Sequence, residues 1–261
     1  MLFQWLKSWK RKRILARPLS PVLEIQVAAA IPWFDSWNPS QRRKAIDDVR
    51  IFIAETNWEG CDGLVLNDEI KTVIASQAAM MLTGIEGYVF DGVRTILVYP
   101  GSFKRTMQNG LVVSDSRLAG QAWLRGPIIL SWPDVAQSWL GHNVVVHELA
   151  HHLDGIDGDM SGDPIFDTVN DQENWERVAS TELARLKQHL EQGQPTVLDP
   201  YGASNRAEFF AVACEAFFEI PQSLQQHHLE LYDCLKRYFQ ADPVSWEKET
   251  NSSLAAGPPP F

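Results

Sequence analysis

Apolar positions along this chain recur mostly at helical spacing, with a few short runs that read as strands. Between Pro39-Ser40 and Thr56, Ala45, Val49, Ile51, Phe52 and Ile53 supply the apolar side of a helix. Asn67 is a good N-cap for a second helix over 68–83, with Ile70, Val73, Ile74, Ala78 and Met81 at helical spacing and Gly84 as its stop. Thr95–Tyr99, closed by Pro100-Gly101, predicts a strand, and 128–132 after Gly126-Pro127 predicts another. Further helices are expected over 141–153, 173–190 and 204–219, with one or two more between Pro221 and Gln240. A loop rich in Gly and Asp separates the first two, over 155–171. The fold class is therefore α+β, helix-rich, with a small sheet beside the 141–153 helix and no internal repeat. Residues 1–20 are expected to form an appendage whose Trp5, Leu6 and Trp9 dock on the body. Residues 21–242 are expected to form a single domain, and the polar, proline-rich 243–261 a disordered tail.

Composition changes this picture little: the chain has 261 residues, 45% of them hydrophobic and 21% charged, which is ordinary for a globular protein. Charge is more informative. Net charge is −10, yet residues 1–23 carry six Lys and Arg and no acid, which leaves −16 on the remainder. An acidic body argues against direct nucleic-acid binding. The basic start suits an anionic membrane or a partner, although a solvated tail is the plainer reading. Cys61, Cys214 and Cys234 form no C-x-x-C pair and suggest no disulfide framework, pointing to a reducing compartment. The first residues lack the order of a signal peptide, and no apolar run approaches 18 residues, so a cytoplasmic location without a transmembrane segment is expected.

The chemistry lies in His147-Glu148-Leu149-Ala150-His151. Positions i and i+4 share a helix face, so two imidazoles can close on one metal while the glutamate points to the same side. Random placement of this chain's His and Glu gives about 0.01 such matches, so chance is a poor explanation. Val144, Val145, Val146, Leu149, Ala150 and Leu153 make the helix apolar, and buried His and Glu need partners. One Zn²⁺ per chain is expected, with Glu148 as general base.

A catalytic site needs a third protein ligand. Asp157 follows His151 by six residues, but the glycine turn that such an extended motif requires falls one position late, at Gly155. Glu208 and Glu215 lie on one face of the 204–219 helix about 10 Å apart, so only one can reach a given metal. Spacing does not choose between them, and each reads equally as a carboxylate bridging helices. Asp154, one turn beyond His151, is a candidate to accept the second N–H of an imidazole. His142 and His152 point away from the motif's face.

Five blocks carry a resemblance: N-D-E-I-K at 67, V-Y-P-G-S-F at 98, G-P-I-I-L-S-W at 126, H-E-L-A-H-H-L-D at 147 and A-E-F-F-A-V-A-C-E-A-F-F at 207. Over residues 20–242 their order and spacing resemble the Mlc titration factor A family of bacterial proteins. The resemblance implies a zincin-like metallopeptidase domain in which Glu208 completes the zinc site with His147 and His151. It also implies that Tyr201, seven residues earlier, faces the scissile carbonyl, an arrangement similar to the anthrax lethal factor peptidase. Some members carry a histidine near the position of Val112 or Val113; its absence here favours an open site. The implied activity is aminopeptidase-like hydrolysis of short peptides. Binding of the glucose-responsive repressor Mlc, which regulates a sugar phosphotransferase gene, is implied as well. The rival reading is a regulatory protein that sequesters the repressor around a structural or gated zinc. An intact Glu148 favours hydrolysis, because a purely structural site has no need of a base.

Overall fold

The computed structural model describes residues 2–101, 106–108, 111–113, 126–138 and 141–250, and side chains throughout these except at 2–4, 106–108, 111–113 and 247–250. Among the described residues eleven α-helices and five strands run in the order α1 (Leu2–Leu15), α2 (Pro21–Ala30), α3 (Pro39–Glu55), β1 (Asn57–Gly60), α4 (Asp68–Met81), β2 (Thr95–Tyr99), β3 (Thr106–Gln108), β4 (Leu111–Val113), β5 (Ile128–Ser131), α5 (Trp132–Ala136), α6 (Val144–Asp154), α7 (Val169–Glu191), α8 (Arg206–Glu219), α9 (Pro221–His227), α10 (Leu229–Phe239) and α11 (Pro243–Thr250). The fold is helix-rich α+β. Strands β1, β2 and β5 form a parallel sheet in that order, with Ile96 level with Trp58 on one side and Ile128 on the other. Strands β3 and β4, which contain Val112 and Val113, form a separate antiparallel pair.

Asparagine starts the main helices. Asn38 opens α3 in a reciprocal capping box with Gln41, Asn67 accepts from the Ile70 N–H, and Asn205 accepts from the Glu208 N–H. Asn143 accepts from both Val145 and Val146, so α6 begins after it rather than at 141. Helix α6 packs against α8, α4 and β5, and the buried apolar side chains form one cluster that runs from Val27 to Trp246.

Three expectations are corrected. Trp5, Leu6 and Trp9 do not dock: they are 62%, 45% and 49% exposed, and α1 is held instead by Arg11. Gly84 is no left-handed stop, since α4 ends at Met81; a Cβ there would lie 2.0 Å from the Gln240 carbonyl oxygen, so the residue admits the end of α10. The expected tail is helical over Pro243–Thr250, with Val244 and Trp246 buried and the Trp246 ring edge-on to Trp37 at 5.3 Å. Residues 251–261 lie outside the described residues. Two large aromatic faces outweigh the local proline and polar content. Trp246→Ala is therefore expected to destabilise the fold by about 3 kcal/mol in urea denaturation. An unchanged midpoint would show that α11 adds nothing to the core.

Candidate metal centre

Helix α6 presents His147 and His151 one turn apart, and α8 crosses it with Glu208 and Glu215 on the facing side. Glu208 Oε2 lies 3.0 Å from His147 Nε2 and 3.3 Å from His151 Nε2, and the two imidazole nitrogens are 3.3 Å apart. Tetrahedral coordination with metal–donor bonds of about 2.0–2.1 Å requires donor separations of about 3.3–3.4 Å. Two of the three separations meet that requirement and the third, Glu208 to His147, is about 0.3 Å shorter; among the described residues these atoms are the one group of His, Cys, Asp and Glu so arranged.

Glu215 has a different part from Glu208. Its Oε1 is 2.6 Å from His147 Nδ1, and its Oε2 accepts the Asn143 backbone N–H at 2.6 Å. The carboxylate thus holds His147 and the cap of its helix together, and it leaves Nε2 turned toward Glu208. A ligating histidine commonly donates its second N–H in this way. Glu219 adds a bond from the Asn143 side-chain amide at 2.8 Å. Burial and the Glu215 charge push Glu219 up to about 7 against that bond. The sequence left Glu215 open between a ligand and a carboxylate bridging helices, and did not single out Glu219 or Asn143. The seven-residue interval between Glu208 and Glu215 was the available signal.

The electrostatics are those of a cation site. Burial lowers the basicity of His147, but Glu215 and Glu208 outweigh it and raise the imidazole to about 10. Burial likewise opposes ionisation of Glu208, yet hydrogen bonds from both histidines hold its carboxyl well below the usual range. Without metal the cluster keeps a proton on His147; a divalent cation can take the place of that proton between the same donors.

Asp154 does not orient an imidazole. Its fully buried carboxylate accepts the Gly162 N–H at 2.8 and 3.0 Å, and burial raises it to about 6 against that bond. Gly162 has φ +81°, and a Cβ there would lie 2.3 Å from the Arg206 carbonyl carbon. Asp154 therefore pins the loop after α6 against the start of α8, where Arg206 also pairs with Asp163. His151 Nδ1 is buried without a hydrogen-bond partner among the described residues. Asp157 is exposed and accepts the Asp159 N–H. His142 is 62% exposed and pairs with Asp199, whereas His152 packs on Gly92 and Phe90.

Glu148 and His151 line a cleft with Gly92, Gly126, Ile128 and Met160. Tyr201 sits in a 3₁₀ turn, Pro200–Ala203, whose first N–H is capped by Asp199; its ring centroid is 5.9 Å from that of His147. Glu148, Tyr201 and the three donors thus occupy one region.

The family model for glucose-regulated metallo-peptidase M90 matches residues 6–240. The uncharacterized protein slr2042 of Synechocystis is 38% identical over 92% of this chain and 90% of its own length. Mlc titration factor A of Yersinia pestis and of Yersinia pseudotuberculosis are each 29% identical over 99% of this chain and 97% of theirs. The chain belongs to the M90 metallopeptidase family.

The two carboxylates predict different defects. Glu208→Gln should weaken metal binding at least about 100-fold and Glu215→Gln about 10–100-fold, measured by competition with a chromophoric chelator. The reverse order would exchange their roles. In metal-stripped protein, the raised His147 contributes stability that is complete below about pH 6.5 and is lost as pH rises through about 10. Urea denaturation at several pH values should record that decline, and Glu215→Gln should flatten it.

Proposed function

We propose that this member of the M90 family is a cytoplasmic zinc peptidase with aminopeptidase-like activity on short peptides. The observation that carries this reading is the donor set of His147, His151 and Glu208, spaced at 3.0–3.3 Å beside Glu148 at a cleft. Two imidazoles and one carboxylate suit Zn²⁺ and leave a coordination position for water. Bound zinc supplies Lewis acidity and lowers the pKa of a water to about 7.

The chain's own groups do the rest. Glu148 accepts a proton from the attacking water and delivers it to the leaving amine nitrogen. The Tyr201 hydroxyl donates to the oxyanion that develops on the scissile carbonyl. Glu215 keeps the His147 ring oriented while charge moves. Among the described residues β5 is an edge strand, and its first residue lines the cleft, so an extended peptide can pair beside Glu148.

The name Mlc titration factor A, borne by the Yersinia relatives, supports a second property: binding of an Mlc-type repressor, through which a sugar phosphotransferase gene would be regulated. The acidic body favours protein contact over direct contact with DNA. A repressor-sequestering protein with a structural zinc remains the alternative, and Glu148→Gln separates the two.

Glu148→Gln is expected to retain about one zinc per chain and any repressor binding but to lose at least ~10²-fold in kcat on aminoacyl-p-nitroanilides. Unchanged turnover would reject hydrolysis at this site. Tyr201→Phe is expected to preserve metal content and KM while lowering kcat about 10²–10³-fold. A rate within about twofold of the parent, with a lowered melting temperature, would make Tyr201 a packing residue instead.

A further inference from the structure

Helix α1 turns its tryptophans away from the body. At 100° per residue, Lys7, Arg11 and Ile14 share one side, about 140–160° from Trp9, while Trp5, Leu6 and Trp9, with Arg13 among them, share an arc of about 100° on the other. The side with Arg11 faces the protein, where Arg11, Ile14 and Leu15 are half-buried. Arg11 pairs with Glu55 at 2.7 Å and with Asp91, and its guanidinium lies 4.4 Å from the centre of the Tyr88 ring. Lys7 reaches Asp91 at 3.1 Å, and Arg50 on α3 donates to the carbonyls of Ile14 and Arg17. The apolar side faces solvent: Trp5 is 62%, Leu6 45% and Trp9 49% exposed. Lys10, Lys12, Arg13 and Arg17 are exposed as well, with Arg13 stacked 4.8 Å over Trp9. A helix folded only against its own core would turn its tryptophans inward.

We infer that this outward face of α1 docks on an anionic membrane surface. Tryptophans rimmed by Lys and Arg are the composition of a helix lying in a lipid headgroup layer, where the rings enter the interface and the cations meet anionic lipids. The charge distribution fits that partner, because residues 1–23 carry +6 and the rest of the chain −16. An anionic surface therefore attracts the protein through α1 and repels the remainder, which fixes its orientation. A second copy is a poorer occupant. Pairing α1 with α1 brings two such cationic segments together, and among the described residues the large exposed apolar side chains beyond Ile25 are all aliphatic: Val65, Ile156, Ile165, Val169 and Leu229. No described helix is long and apolar enough to cross a membrane, so the contact is peripheral.

The test uses the full metal-loaded chain and vesicles of phosphatidylcholine with about 30% phosphatidylglycerol, set against phosphatidylcholine alone. Flotation should give at least about tenfold stronger binding to the anionic vesicles, weakened by about 0.5 M salt. Lys10→Glu with Lys12→Glu, neither of which pairs with the body, should abolish that preference at an unchanged melting temperature. Brominated lipid should quench tryptophan emission in the parent chain but not in Trp5→Phe/Trp9→Phe, which reports insertion independently of folding. Equal binding to neutral and anionic vesicles, or unaltered quenching in the Phe variant, overturns the inference. So does a lipid-free dimer that Trp5→Ala/Trp9→Ala dissociates, which would assign this face to a second copy.

Discussion

The carboxylate of Glu215 binds His147 Nδ1 with one oxygen and the Asn143 backbone N–H with the other, inside the apolar contact between α6 and α8. Removing one partner from a buried ionic contact typically costs about 3–5 kcal/mol, because the remaining charge is left unpaired in a medium of low dielectric. Three features follow from this one contact. The start of α6 is set by its cap, the His147 ring is locked, and α8 is brought close enough for Glu208 to reach both imidazoles. The geometry of the donor cluster and the packing of the two helices are therefore a single arrangement.

The far end of α6 is tied down separately. Asp154 holds Gly162, whose carbonyl accepts from the Trp175 indole N–H, and Gly162 lies directly on the backbone at Arg206. Helix α6 is thus fastened to α8 at one end by Glu215 and Glu219 and at the other through the loop that Asp154 holds. Between the two fastenings the three donor atoms are held 3.0–3.3 Å apart, close to the spacing a small divalent cation needs. Glu148, on the same helix, lines the open cleft instead of entering the buried contact.

The acidic groups divide by function and by depth. Glu215, Asp154 and Glu219 are largely buried and organise backbone, imidazole and the Asn143 side-chain amide, while Asp91 and Glu55 draw the Arg11 side of α1 onto the body. That last attraction is what leaves the tryptophans of α1 outside. The ion pairs of the Arg11 guanidinium hold that side inward together with the half-buried Ile14 and Leu15.

Periodicity and motif spacing determined a great deal by themselves. The helices over Pro39–Glu55 and Asp68–Met81, the strand Thr95–Tyr99 and the pairing of His147 with His151 all depend on residues within a turn or two of one another. Such spacing is readable from the chain alone. The choice between Glu208 and Glu215 was not. Both occupy one face of α8, and only the crossing of α6 over α8 gives one of them Nε2 and the other Nδ1 of the same ring. Asp154 was misread for the same reason, because its partner Gly162 comes from a loop whose path depends on the packing of α8. The helix carrying Trp246 was likewise hidden, since its burial depends on Trp37, more than two hundred residues earlier. Local sequence specifies which groups can bind, whereas the partner each one meets is decided by long-range packing, where burial and charge pairing act together.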